Sequence, residues 1–203
     1  MIKLSSAAFA AALLLASPAL AQGVPGAADV SRVTPGTYTV EPNHTQVTWT
    51  VNHLGFTMLS GMFGSASGTM TLDPAHPEQA SITVDFPIDK VATTREGFTT
   101  HLLHEQILDV AKFPTASFHS TGVEVSGQNA KISGTLTLHG VTKPVVLDAH
   151  FIGAGTNPLS KKLTIGFDAT AAINRSDFGL TYSLPGVSDR VELHIAAAFE
   201  KAQ

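Results

Sequence analysis

From residue 46 onward, apolar and polar positions alternate with a period of two over most of the chain. Val47, Trp49 and Val51 fall on one side, with Gln46, Thr48 and Thr50 opposite. The same rhythm returns at Met70 and Leu72 after Gly68, and at Ile82, Val84 and Phe86 against Ser81, Thr83 and Asp85. It recurs at Ile132 through Leu138, at Val145, Leu147, Ala149 and Phe151, at Leu163, Ile165 and Phe167, and at Val191, Leu193 and Ile195. Runs of this kind predict half-buried strands, because successive side chains on a strand point to opposite faces. Turn-forming clusters separate them: Asp73-Pro74, Ser126 to Asn129, His139-Gly140, and Gly153 to Pro158. Many one-faced strands joined by short turns belong to antiparallel sheets, closed as a sandwich or as an up-and-down barrel.

One segment departs from this rhythm. Between Thr94 and Leu108 the apolar residues are Phe98, Leu102, Leu103, Ile107 and Leu108, a helical spacing. Thr93 with Glu96 fits the S/T-x-x-E capping box, and Pro114 blocks continuation. The pattern predicts a short helical insertion around 94–110 on an otherwise all-β fold.

The N-terminus has a different character. Lys3 precedes an uncharged run of Ala, Leu and Phe, Pro18 breaks it, and Ala19-Leu20-Ala21 forms an A-x-A site. Residues 1–21 are therefore read as a secretory signal peptide cut after Ala21, with the product periplasmic or secreted. The apolar run is shorter than the roughly 20 residues a membrane-crossing helix needs, and no later segment reaches that length, so stable membrane insertion is not expected. No cysteine follows the cleavage site to carry a lipid, and none is available for disulfides. Residues 22–36, rich in Gly, Pro and Ala, read as a flexible lead-in. Residues 37–201 read as one domain, with no linker or repeat dividing them.

Charge and composition narrow the partners. The formal net charge is −4, and one unit more negative once Lys3 leaves with the leader. A mildly acidic chain without a basic run is a poor match for nucleic acid. There are nine His and no Cys, so a metal site would rest on His and carboxylates. His101 and His104 share a helix face, with Glu105 and Asp109 near. However, the H-E-x-x-H pattern starting at His104 ends in Leu108, and no third ligand is identifiable. Around Gly64 to Gly68, Ala66 stands where a nucleophile elbow needs Ser. No nucleotide-binding glycine motif is present. Small residues on apolar faces (Ala66, Gly68, Gly134, Ala149) either leave room for a ligand or are filled by larger neighbours; the pattern supports both.

A set of ordered segments resembles the YceI-like periplasmic proteins. It comprises Asn43 to Gly55, Gly61-Met62-Phe63, His101 to Asp109, Lys112 to Phe118, Gly134 to Lys143, Arg175 to Gly179, and Ser188 to Val191. The resemblance extends over about residues 36–200. Thr45 stands where that family often has Ser, and His104 where a small polar residue is common. The resemblance implies an extended antiparallel β-barrel of lipocalin-like shape, holding a polyisoprenoid such as an isoprenoid quinone or a prenyl phosphate.

On that reading Val47, Trp49, Val51, Met70, Leu72, Val84, Phe86, Leu136, Leu138, Leu147, Phe151, Ile165, Phe167 and Leu193 point into the apolar interior. His53, His101 and Arg175 are candidates for a polar mouth, with fastening of loops as their alternative role. The expected function is a non-enzymatic exported binding protein for a hydrophobic small-molecule lipid, with no catalytic cofactor and no metal. The alternatives are an enzyme acting on the held lipid and a His-based metal-binding protein. A closed barrel has no free strand edge, yet an exposed apolar face could still pair two copies as a homodimer.

Overall fold

The computed structural model describes residues 23–202 of the 203-residue chain. The predicted leader and its cleavage site lie outside the described residues. Eleven strands form one sheet: β1 (Gly36–Val40), β2 (Gln46–His53), β3 (Thr57–Phe63), β4 (Ser67–Leu72), β5 (Ser81–Pro87), β6 (Val91–Ala92), β7 (Thr115–Ser126), β8 (Asn129–Leu138), β9 (Val141–Thr156), β10 (Leu163–Asn174) and β11 (Arg190–Lys201). Among the described residues one α-helix, α1 (Glu96–Leu102), interrupts them.

The pairings reduce these strands to eight staves. β1 and β2 run on as one kinked stave, β3 and β4 as the next, and β5 and β6 as the third. Accordingly β2 pairs with β3, β1 with β4, β4 with β5, and β3 with β6. β5 continues to β7, and β7 through β11 pair in chain order. β11 then closes the circle against both halves of the first stave: Glu192–Ala196 lie along Thr50–Gln46, and Phe199–Lys201 along Val40–Tyr38. The fold is thus a closed eight-stranded antiparallel barrel with one helix. Of the two architectures that fit the alternation, the barrel is the one formed.

All connections alternate between two ends. The β2–β3 hairpin, the insertion containing α1, the β8–β9 turn and residues 175–189 lie at the helical end. The N-terminal segment, the β4–β5 and β7–β8 connections and the loop after β9 lie at the far end. Two clusters fill part of the interior. Toward the far end, Tyr38, Val40, Met70, Ile165 and Phe199 pack together, with Tyr38 and Ile165 wholly enclosed. Toward the helical end, Trp49, Val51 and Val191 pack with Phe98 and Leu102 of α1.

Two features differ from the sequence reading. The lead-in is not free. Ala27 and Ala154 exchange backbone hydrogen bonds of 3.1 and 2.9 Å, and the side chain of Gln128 donates to the carbonyl of Ala28. The approach is close because β9 offers glycines there: a Cβ on Gly153 or Gly155 would strike the backbone of Ala27 or Pro25. The capping box is also absent. Arg95 is the N-cap of α1 and makes no side-chain cap, while the hydroxyl of Thr93 is engaged by Thr99 and by the carbonyl of Arg95.

Candidate functional site

The barrel is not filled. A cavity of about 580 Å³ runs along it, bounded by side chains from the strands, α1 and the loops at both ends. Its walls are overwhelmingly apolar. The polar side chains that reach it gather mainly at the ends: His53, His101, Arg175, Tyr182 and Ser183 at the helical end, Gln128 and Asn129 at the far end.

One row of paired residues explains the width of the lumen. Ala130 pairs with Ala149 and Ala149 with Ala169, so three neighbouring strands present only methyl groups at this level. The row continues through Ile195, Val47 and Phe63, which are bulky. All six line the cavity. One flank of the barrel is therefore thin-walled where the other is thick. Elsewhere small residues leave no space. The position a Cβ of Gly134 would take is occupied by the ring of Phe118, and the one next to Gly61 by the indole of Trp49. Ala66 is enclosed in the far-end cluster, and Gly68 lies against the backbone of Thr83.

Of the fourteen interior positions read from the sequence, Val47, Trp49, Val51, Met70, Leu72, Val84, Phe86, Leu136, Leu138, Leu147, Phe151, Phe167 and Leu193 line this cavity. Ile165 does not. It faces inward but is sealed within the far-end cluster beneath Tyr38 and Phe199. The cavity also has walls that the alternation concealed. β7 carries an additional residue between Ser120 and Gly122, so Phe118 and Val123 both face inward despite odd spacing. On β3, Leu59 and Phe63 face the lumen, but Met58 and Met62 on the outer face hide the period.

The three polar candidates meet at one end, in different roles. His53 lies at the end of β2 and His101 on α1, its ring edge-on to Tyr182 at 5.8 Å. Arg175 is already engaged. Its Nε donates to the carbonyl of Ser188 at 2.9 Å, its Nη1 to those of Leu180 (2.6 Å) and Tyr182 (2.9 Å), and its Nη2 to that of Val187 (2.9 Å). Four of the five guanidinium N–H groups thus fasten residues 180–188 to the barrel. Burial lowers the pKa of Arg175, and the nearby Asp189 carboxylate acts the other way. Asp189 accepts from the backbone and hydroxyl of Ser176, which hold its carboxyl below the usual range. Among the described residues no three His, Asp or Glu side chains converge on one point, and His104 is exposed to solvent.

A family profile described as the YceI-like domain matches residues 38–199, nearly the whole barrel. The chain belongs to the YceI-like family. A curated UPF0312 protein of Pseudomonas fluorescens is 37% identical to it over 201 residues, covering 95% of this chain and 97% of the relative. Among solved structures, this YceI-like barrel is similar to BcnA of Burkholderia cenocepacia, with a TM-score of 0.68 at 19% identity, over 76% of this chain and 95% of that one. It is also similar to a polyisoprenoid binding domain of Saccharophagus degradans implicated in plant cell wall breakdown, with a TM-score of 0.60 at 16% identity, over 81% and 98%. At those identities the two structures show the barrel architecture.

Proposed function

We propose that this protein is an exported, non-enzymatic carrier that encloses a polyisoprenoid lipid, an isoprenoid quinone or a prenyl phosphate, in the barrel lumen. The observation that carries this reading is the continuous apolar cavity reaching from α1 to the β7–β8 turn. Its volume of about 580 Å³ falls in the range of roughly 300–1,000 Å³ typical of small-molecule sites. Elongation and scarcity of polar groups match a long hydrocarbon. Each buried CH₂ contributes about 0.8 kcal/mol, so a few isoprene units offset the association cost of about 4–15 kcal/mol.

The polar groups at the helical end give the ligand a direction. His53, His101 and Tyr182 offer hydrogen-bonding atoms where a carbonyl or phosphate oxygen would emerge from the lumen. The N-terminal leader pattern supports a role outside the cytoplasm, in transport, storage or sequestration. The polyisoprenoid named for the Saccharophagus domain, on the same barrel architecture, supports the ligand class.

Organic extraction of the protein after export, followed by mass spectrometry, tests the reading. The expected result is a prenyl quinone or prenyl phosphate at a defined ratio to protein. Preparations that are consistently free of lipid, and that fail to take up added prenyl quinone, would overturn it.

A further inference from the structure

We infer that the β2–β3 hairpin and the neighbouring loop 180–188 form a membrane-docking crest, through which the barrel exchanges its cargo with a lipid bilayer. This rests on the carrier reading above and extends it to a partner surface. The two segments form one unit. The amide of Leu54 donates to the carbonyl of Gly186 (2.7 Å), that of Ser188 to the carbonyl of Asn52 (2.9 Å), and that of Asn52 to the hydroxyl of Ser188 (2.9 Å). Arg175 holds the second segment from beneath.

The crest is apolar where a surface loop is ordinarily polar. Phe56 is 84% exposed, Met58 62%, Leu54 54% and Tyr182 41%. Single exposed apolar residues are unremarkable, but a contiguous group marks an interaction surface. Positive φ at Leu54 (56°) and Gly55 (72°) makes the tight turn that leads into Phe56. That side chain lies almost wholly in water and contributes little to the fold.

Charge identifies the partner. No Asp, Glu, Lys or Arg occurs in residues 42–72 or 178–188. A protein interface depletes charge at its core but keeps a polar, solvent-accessible rim, and an anionic headgroup site would need Lys or Arg. A surface without ionic groups enters the interfacial zone of a bilayer without desolvating a charge. Tyr182, with an apolar ring and a polar tip, suits that zone. The crest is also continuous with the lumen: His53, Leu59, Tyr182, Ser183 and Val187 line the cavity from the same two segments and their flanks. A cargo that partitions into hydrocarbon could pass from bilayer to barrel there without crossing water.

The test is flotation of the exported protein, its N-terminus verified by mass spectrometry, with phosphatidylcholine vesicles. The wild type should float with them, little affected by salt or by added phosphatidylglycerol. A Phe56→Ser/Met58→Ser variant, altered only at exposed sites outside the cavity, should partition at least about tenfold more weakly. It should also take prenyl quinone from vesicles correspondingly more slowly, while still loading from detergent micelles like the wild type. Wild-type protein that does not float, or that floats only with phosphatidylglycerol at low salt, overturns the docking proposal. So does light scattering that shows a wild-type dimer split by the double substitution, which would make the crest a contact between two copies. Loading from detergent reports on the carrier reading separately. Failure there counts against the carrier, whereas flotation decides the docking.

Discussion

Thr45 and Ala198 are joined by two hydrogen bonds through one hydroxyl. The Thr45 Oγ1 donates to the Ala198 carbonyl at 3.1 Å and accepts from the Ala198 amide at 3.0 Å. The site lies at the kink between β1 and β2, where the Ala198 carbonyl also accepts from the Glu41 amide at 2.8 Å. A side chain thus completes the ladder at the seam that closes the barrel. Thr45 is 3% exposed, so water cannot replace it. Thr45→Val should cost about 1–3 kcal/mol by stranding the amide, whereas Thr45→Ser should cost under about 1 kcal/mol because the hydroxyl remains. Urea denaturation of the three proteins checks this.

The same kink gives the fold an acid sensitivity. Burial of the Glu41 carboxyl favours its neutral form, but hydrogen bonds from Asn43 and His44 outweigh this and hold its pKa below the ordinary 4.5. A folded-state pKa below the unfolded one stabilises the fold above about 4.5, and the contribution is lost as pH falls through the folded value. Glu41→Gln should therefore lower Tm at neutral pH. It should also show a shallower fall of Tm than the wild type between about pH 5 and 3. Parallel falls in both proteins would refute the assignment.

Arg175→Lys should free the segment it clamps. An ammonium has three donors on a flexible stem and cannot reproduce a planar fork that meets four carbonyls. Hydrogen bonds from charged groups are worth roughly 1.5–3 kcal/mol each, so a loss of about 3 kcal/mol overall is expected. Limited proteolysis should show new cleavage within residues 180–188.

Ala149→Leu should narrow the lumen without unfolding the barrel. The added side chain enters open space between Ala130 and Ala169 rather than a packed core. Bound prenyl quinone should fall at least about tenfold with Tm little changed. Gly134→Ala should do the reverse kind of damage. Its methyl would overlap the Phe118 ring and lie 2.6 Å from the His119 carbonyl, so a loss of about 1–3 kcal/mol is expected from overpacking. Calorimetry on both variants separates the two outcomes.

The strands legible in the sequence are those with one greasy and one wet face, such as β2, β8 and β9. β3 escaped because Met58 and Met62 make both of its faces apolar, and β7 because its bulge shifts the period halfway along. β1 is only five residues long and follows Pro35, yet its Tyr38 is among the most enclosed side chains in the molecule. The lead-in looked free because glycine and proline content says nothing about whether β9 will accept a backbone alongside it. At the site, period two locates the lumen wall but not its thickness. Gly134 and Ala149 look alike in one dimension, and only the cross-strand neighbour, a Phe in one case and two Ala in the other, tells filled from open. The crest left no periodic trace, since Leu54, Phe56 and Tyr182 sit in loops and Met58 lies on the outer face of β3.

The final stave has a consequence for biogenesis. β11 comprises the last twelve-residue strand, Arg190–Lys201, and it alone bonds to both halves of the opening stave. Until those residues have emerged from whatever machinery delivers the polypeptide, the sheet is an open trough with two unsatisfied margins. A passenger can be trapped only after Arg190–Lys201 has joined the sheet, and a chain truncated before residue 190 could never become a container.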